Sequence, residues 1–334
     1  NYKRFLECIK EKEPLSSEPR PEGLKLVFDY KEPVVKKEVA DFVGHYNARF
    51  KALESILKNR QELVGLTTIA RINTKRARET VSAIGMVTEK STTQNKNIML
   101  TLEDPTGTIR AIVSQKKQDA YELAKNLTLD EVVGLSGTCG ERIIFASNVI
   151  FPDIPVSKEL KKAPEESYAI FLSDLHVGSN NFLEDKFEKF LRWLNAEIGS
   201  AEHQEIVRKT RYVFIAGDLV DGVGVYPNQD QELMIKDIYE QYRQCAKFLA
   251  KIPSHMQVVV CPGNHDSVRL SEPQPHFARP FAEPLYNIPN VTIVSNPAVI
   301  NIASQEGFPG FDVLMYHGYS FEIGRASCRE RVCH

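Results

Sequence analysis

Four short stretches set acids, amides and histidines where they could do chemistry. They are "SDLHVG" with Asp174 and His176, "GDLVDG" with Asp218 and Asp221, "GNHD" with Asn264, His265 and Asp266, and "YHG" with His317. Each follows an apolar run directly. Carboxylates and imidazoles beside an apolar core are costly to desolvate unless something pairs with them, and a divalent cation would do so. A mixture of Asp, His and Asn suits Mn²⁺, Fe²⁺ or Zn²⁺ better than a thiolate site would. One carboxylate can bridge two cations, which together clamp a phosphate and activate a water; Asp218 is the candidate bridge. His265 is then expected to serve a leaving oxygen as general acid, with Asp221 as the carboxylate that orients its ring. Asp221 and Asp266 each have a plainer alternative, as N-cap or turn residues.

The elements that must hold these groups are legible in the apolar patterning. From Tyr168 onward, "YAIFLS", "YVFIAG", "QVVVCPG", "VTIVSN" and "DVLMYHG" read as short strands. Helical spacing runs over Leu183 to Leu194 and Glu232 to Leu249. Continuous apolar runs predict strands buried on both faces, an α/β sheet whose carboxyl ends deliver the polar groups to one rim. Strand alternation beyond Ser173 would turn Asp174 and His176 to the same side.

Upstream the period changes. Over residues 62–155, "TVSAIGMVTE", "NIMLTLED", "TIRAIVS", "EVVGLSGTC" and "RIIFASNVIF" are short β-rich runs. A helix from Gln118 to Leu127 falls between the third and fourth, the order of an OB-fold barrel. Residues 37–61 carry Val39, Phe42, Val43, Tyr46, Phe50, Leu53, Ile56 and Leu57 at three- and four-residue steps, an amphipathic helix expected to pack on the next domain. Residues 1–36 read as a linker or the remnant of an N-terminal region, with Pro14, Pro19, Pro21 and Pro33 among charge runs. The expected organisation is therefore that linker, the helix, an all-β OB-fold barrel at 62–155 and an α/β (α+β) sandwich domain at 164–321. The stretch 322–334, "GRASCRERVCH" included, reads as a non-native or disordered tail, and with Asn1 at the start it suggests a piece of a longer chain.

The 334 residues, 42% hydrophobic and 26% charged, suffice for two domains with cores. No run approaches the roughly 18 apolar residues of a membrane helix and no secretory signal opens the chain, so the reading is cytoplasmic, without a membrane partner. The six cysteines lack CxxC spacing, which argues against a disulfide framework or a zinc knuckle. A net charge of −2 offers no global attraction to nucleic acid. Leu66 to Ala120 holds nine Lys/Arg against five Asp/Glu but no aromatic residue, whereas single-strand binding leans on aromatic platforms. A protein contact or scaffolding role is favoured for the barrel, with Arg71, Lys75, Arg76 and Arg78 as the alternative contacts to duplex phosphates. His45, His203 and His255 read as surface or packing residues. His276, with Arg269 and Arg279, reads either as packing or as a contact to substrate phosphate.

The four stretches resemble the calcineurin-like metallophosphoesterases, whose pattern is DxH, GDxxD, GNH(D/E), a histidine before glycine, and a final GHxH. The resemblance implies Asp174 and His176 as ligands of a first metal, Asp218 as the bridge, Asn264 and His317 as ligands of a second, and His265 as the catalytic acid. No GHxH follows His317 in these residues. On the family pattern those two histidines complete both metal shells, so the chain as given is expected to bind metal poorly.

A narrower similarity runs from about residue 37 to Phe321. "GDLVDGVGVYPNQ", "PQPHFARPFAEPLYNIPNVTIVSNPAVINI" and "LMYHGYSF" behind an OB-like domain resemble the small subunits of archaeal family-D DNA polymerases. That resemblance implies a 3′–5′ exonuclease that uses two divalent ions, Mn²⁺ foremost, and proofreads for a large catalytic polymerase subunit. A DNA 3′ end would be its substrate and the nucleoid its place. Two other functions stay open: a non-catalytic scaffolding subunit, like the ligand-depleted eukaryotic relatives, and a general metallophosphatase on small phosphoesters.

Overall fold

The computed structural model describes residues 24–31, 36–153 and 160–320. They form two compact units: residues 36–153, and residues 24–31 together with 160–320. Strand β1 (Leu24–Asp29) opens the described chain and belongs to the second unit.

The first unit starts with α1 (Val39–Leu57) and the single turn α2 (Ile69–Ile72). The strands β2 (Thr80–Thr92), β3 (Ile98–Asp104) and β4 (Gly107–Val113) follow, then α3 (Gln118–Asn126), β5 (Val132–Gly140) and β6 (Ile143–Ile150). The strands close in the order β2-β3-β4-β6-β5, with β4 and β6 as the parallel pair that seals the barrel. Val81, Ala83, Leu100, Leu102, Ala111 and Val113 alternate into a fully buried interior, the period-two pattern of a strand with one wet face. This is the OB-fold expected from the sequence.

Helix α1 departs from expectation along half its length. Phe50 and Leu57 are buried with Leu63, Ile84, Val132 and Ile150, so the carboxyl half packs on the barrel. Val39, Phe42, Val43 and Tyr46 are exposed, because the apolar stripe outruns the barrel surface that could cover it.

The second unit continues with β7 (Tyr168–Leu172), α4 (Glu184–Leu194), α5 (Ala201–Lys209), β8 (Thr210–Ala216), α6 (Ile238–Leu249) and β9 (Gln257–Cys261). It ends with α7 (Arg279–Tyr286), β10 (Val291–Ile293), β11 (Ala298–Ile302) and β12 (Phe311–Met315). A parallel sheet runs β10-β9-β8-β7, and an antiparallel sheet runs β1-β11-β12. Val213, Ile215, Val258 and Val260 face a core with Leu191, Tyr242, Phe248 and Leu249 of the helices. The alternate residues Tyr212, Phe214, Val259 and Cys261 face Ile300, Ile302 and Met315 of the second sheet. Both faces of the parallel sheet are thus covered, which explains its unbroken apolar runs.

Four readings of the sequence change here. The run "DVLMYHG" supplies β12 of the antiparallel sheet rather than a parallel strand, and its alternating burial reflects one uncovered face. Residues 24–29, read as linker, are β1, paired with β11 from Leu24↔Ile302 to Asp29↔Ala298. Six residues between proline-rich stretches are too short a pattern to distinguish from linker. Glu232 to Asp237 is not helix: α6 begins after Asp237, whose Oδ1 accepts the Glu240 amide at 2.9 Å as an N-cap. Helix α5, capped by Ser200, had no counterpart in the sequence reading. The remainder of the expected linker at 1–23 and the tail at 322–334 lie outside the described residues. No described helix is long and apolar enough to cross a membrane.

Candidate metal centre

The polar motifs leave the strand ends at once. Asp174 and His176 follow β7, Asp218 follows β8, Asn264 and His265 follow β9, and His317 follows β12. Asp174, His176 and Asp218 have left-handed backbones, with φ of 56°, 51° and 50°. That conformation costs a non-glycine residue roughly 1–2 kcal/mol and is held only where the surroundings over-determine it. Strand alternation therefore does not aim Asp174 and His176; the two left-handed turns do. The loops also approach too closely for side chains at their glycines. A Cβ on Gly217 would stand 2.4 Å from Nδ1 of His317, and one on Gly263 would stand 2.2 Å from Oδ1 of Asp218.

Asp218 lies at the middle. Its Oδ2 is 3.6 Å from Nε2 of His176 and 3.4 Å from Nε2 of His317. Nε2 of His176 is also 3.8 Å from Oδ1 of Asp174, and Nε2 of His317 is 3.0 Å from Oδ1 of Asn264. The amide of His265 donates to Oδ1 of Asp218 at 2.8 Å. Only Asp174 among the carboxylates is open to solvent, with its side chain 53% exposed against 3% for Asp218.

All three imidazoles are tied through Nδ1. In His176 it meets Oδ1 of Asp221 at 3.0 Å, in His265 the carbonyl of Asp221 at 2.8 Å, and in His317 the carbonyl of Ala216 at 2.8 Å. A carbonyl can only accept, so Nδ1 of His265 and of His317 carries the hydrogen and Nε2 is left for other work. Asp221 was expected to orient His265 with its carboxylate. It reaches that ring through its backbone carbonyl instead, and its carboxylate goes to His176, because residues 218–221 run hydrogen-bonded alongside His176 and Val177 through His176 N–Asp218 O, Val177 N–Leu219 O and Asp221 N–Val177 O.

The electrostatics are those of a centre rich in negative charge. Burial alone would lower the proton affinity of His317, yet the hydrogen bond and charge of Asp218 raise it to about 9. Burial would raise the Asp218 carboxyl, but His317 and the His265 amide outweigh it and hold it below the usual range. Asp174, His176 and Asp218 offer one oxygen or nitrogen each within 4.8 Å of one another, as do His176, Asp221 and His265. This hard-to-borderline donor set fits divalent ions of the Mn²⁺, Fe²⁺ or Zn²⁺ type.

A buried scaffold behind the centre was not read from the sequence. Asp266, expected as a cap or turn residue, is fully enclosed; its carboxylate accepts the amides of Gly263, Leu219 and Val220 at 2.9, 3.3 and 3.4 Å and the hydroxyl of Tyr242 at 3.3 Å. Burial, with the charge of Asp218, pushes its carboxyl up to about 7. Gln229 donates to Oδ2 and to the carbonyl of Asp221, both at 2.8 Å. Asn296 accepts the His317 amide at 2.9 Å and donates to Gln274 at 2.7 Å, and Gln274 donates in turn to the carbonyl of Gly263 at 3.1 Å. Gln274 and Asn296 stand in the "PQPH" and "SNP" stretches.

His276, Arg269 and Arg279 are engaged elsewhere. Nε2 of His276 lies 2.9 and 3.0 Å from the two oxygens of Asp29, Arg269 donates to the carbonyl of Pro273, and Arg279 lies over the ring of Tyr286.

Comparison with known proteins agrees with this architecture. Residues 169–329 match the family described as calcineurin-like phosphoesterase, and residues 81–151 match the OB-fold nucleic acid binding domain. The chain is 39% identical over 285 residues to the DNA polymerase II small subunit of Methanothermobacter thermautotrophicus, covering 85% of this chain and 57% of that one. It is 39% identical over 286 residues to the same subunit of Pyrococcus furiosus, covering 85% and 45%. With the Archaeoglobus fulgidus subunit the identity is 37% over 331 residues, covering 95% and 64%. The chain thus spans about half the length of the curated relatives it matches.

Proposed function

This chain is a homologue of the archaeal DNA polymerase II small subunits, with an OB-fold and a calcineurin-like phosphoesterase domain, and from that premise we propose that it is a two-metal 3′–5′ exonuclease. The observation that carries the reading is Asp218, whose one oxygen faces both His176 and His317 within 3.6 Å. Asp174 and His176 would hold one ion, Asn264 and His317 the other, and Asp218 both. Divalent ions there would supply charge neutralisation at a phosphodiester and a more acidic water.

The side chains of the protein have their own tasks. His265, fixed by the Asp221 carbonyl at Nδ1, keeps Nε2 for a leaving oxygen and acts as general acid. Asp221 orients His176 through a carboxylate held by Gln229. The close-set glycines let three loops meet without intervening side chains. The relatives are named as small subunits, which supports a large polymerase subunit as partner and DNA as substrate, with the work done in the cytoplasm.

The test is Mn²⁺-dependent removal of a mismatched 3′-terminal nucleotide by the full-length protein, alone and with the large polymerase subunit. Equal rates for the native protein and Asp218→Asn would remove the assignment. Activity on a nitrophenyl phosphomonoester without activity on DNA would favour a general phosphatase.

A further inference from the structure

Beside the candidate centre lies a cavity of about 380 Å³. Asn264, His265, Asp266 and Ser267 line it together with the apolar Val225, Ile238, Leu270 and Phe281. Among the described residues no Lys or Arg lines it. Val225 and Leu270 are 38% and 58% exposed, an unusual placement for large apolar side chains at the mouth of a polar site. The volume falls at the low end of small-ligand sites. That volume accommodates one group of the size of a nucleobase.

A nucleic-acid strand offers two chemistries, anionic phosphates and flat bases with apolar faces and polar edges. The carboxylate-rich centre, once loaded with cations, takes the first. Walls without a cation, adjoining that centre, suit the second. We infer that this cavity is a nucleobase site, and that it takes the base of the nucleotide on the leaving-oxygen side of the scissile phosphate. The inference rests on the exonuclease reading above.

The side follows from His265. In 3′–5′ hydrolysis a water oxygen bonds to phosphorus, the bond from phosphorus to O3′ of the penultimate nucleotide breaks, and that O3′ takes the electron pair and a proton. His265 gives the proton from Nε2, and the water releases one of its own to bulk solvent, which returns a proton to the imidazole. The products are a free 5′-nucleotide and a strand one residue shorter with a 3′-hydroxyl. A cavity that shares His265 therefore neighbours the penultimate nucleotide, which stays on the strand. Phe281 offers a ring and Val225, Ile238 and Leu270 offer aliphatic contact, beside the polar Asn264, His265, Asp266 and Ser267, so the cavity takes a base through stacking and apolar contact.

The experiment uses the full-length protein and a short single strand with a hydrolysis-resistant phosphorothioate at its last linkage. The fluorescent base 2-aminopurine is placed at the penultimate, the terminal or an interior position. Emission is expected to change on binding for the penultimate probe, and an abasic penultimate residue should weaken binding about tenfold or more. Leu270→Asp and Val225→Asp, both at exposed positions that a polar side chain tolerates, should abolish both effects. An unchanged response in these variants, an equal response from the terminal probe, or no response in the native protein would each overturn the inference. Absence of Mn²⁺-dependent hydrolysis with the penultimate response intact would instead strike the exonuclease reading and leave the base site standing.

Discussion

Oδ1 of Asp221 lies 3.0 Å from Nδ1 of His176, while the other oxygen of the same carboxylate accepts from Gln229 at 2.8 Å. The Asp221 side chain is 5% exposed, so the carboxylate is shielded from water and fixed from both ends. A carboxylate in this position sets the tautomer of the ring and makes Nε2 a better donor to a cation.

Asp221→Asn keeps the shape and removes the charge. Mn²⁺ affinity should fall about 10–100-fold while the unfolding midpoint of the metal-free protein changes little. Calorimetric titration of the full-length protein checks this; an unaltered affinity would leave Asp221 with a purely structural role.

His317 should hold its proton to about pH 9 in metal-free protein because Asp218 faces it. Replacing Asp218 with Asn removes the charge and should bring the titration of the His317 ring down toward its ordinary value. Imidazole resonances followed from pH 5 to pH 10 would show it, and a midpoint indifferent to the substitution would contradict the pairing. Divalent ions should displace the same proton, so binding at pH 8 should release protons into the buffer.

The buried amides of Asn296 and Gln274 fasten the loop of His317 to the loop of Gly263. Asn296→Ala would orphan the His317 amide and one end of Gln274, at about 1–3 kcal/mol. Since the two residues form one network, Asn296→Ala and Gln274→Ala together should cost less than their sum. Denaturant unfolding of the single and double variants decides it; strict additivity would argue against a shared clasp.

Asp29 ties β1 to His276 and accepts the Ser295 amide at 3.0 Å. Burial would raise its carboxyl, but the hydrogen bond and charge of His276 hold it below the usual range. A depressed carboxyl stabilises the fold above its unfolded value and loses that effect as pH falls through the folded one. The native protein should therefore be more stable than Asp29→Asn at pH 6, and the gap should close below about pH 4. A gap of the same size at pH 3 would be the contrary result.

In the other unit, Leu57→Ala should cost about 2–5 kcal/mol, since the side chain is fully buried against the barrel. Phe42→Ala, on the exposed half of the same helix, should stay within about 0.5 kcal/mol. Thermal unfolding of both would show whether α1 is held by its carboxyl half alone.

The residues themselves determined a good deal. The period change near residue 155 separated barrel from sandwich, because a one-sided strand alternates and a doubly covered strand does not. Asp174, His176, Asp218, Asn264, His265 and His317 announced themselves as polar groups after apolar runs, a local signal that survives without coordinates. Tertiary structure decided what depends on distant approach. Whether the Asp221 carboxylate meets His176 or His265 turns on the path of one loop. The pairing of β1 with β11 joins segments about 270 residues apart, and six residues cannot show that in their own pattern. Asp266, Gln274 and Asn296 look like ordinary turn residues until their partners are known, since a buried polar side chain takes its meaning from the groups it satisfies.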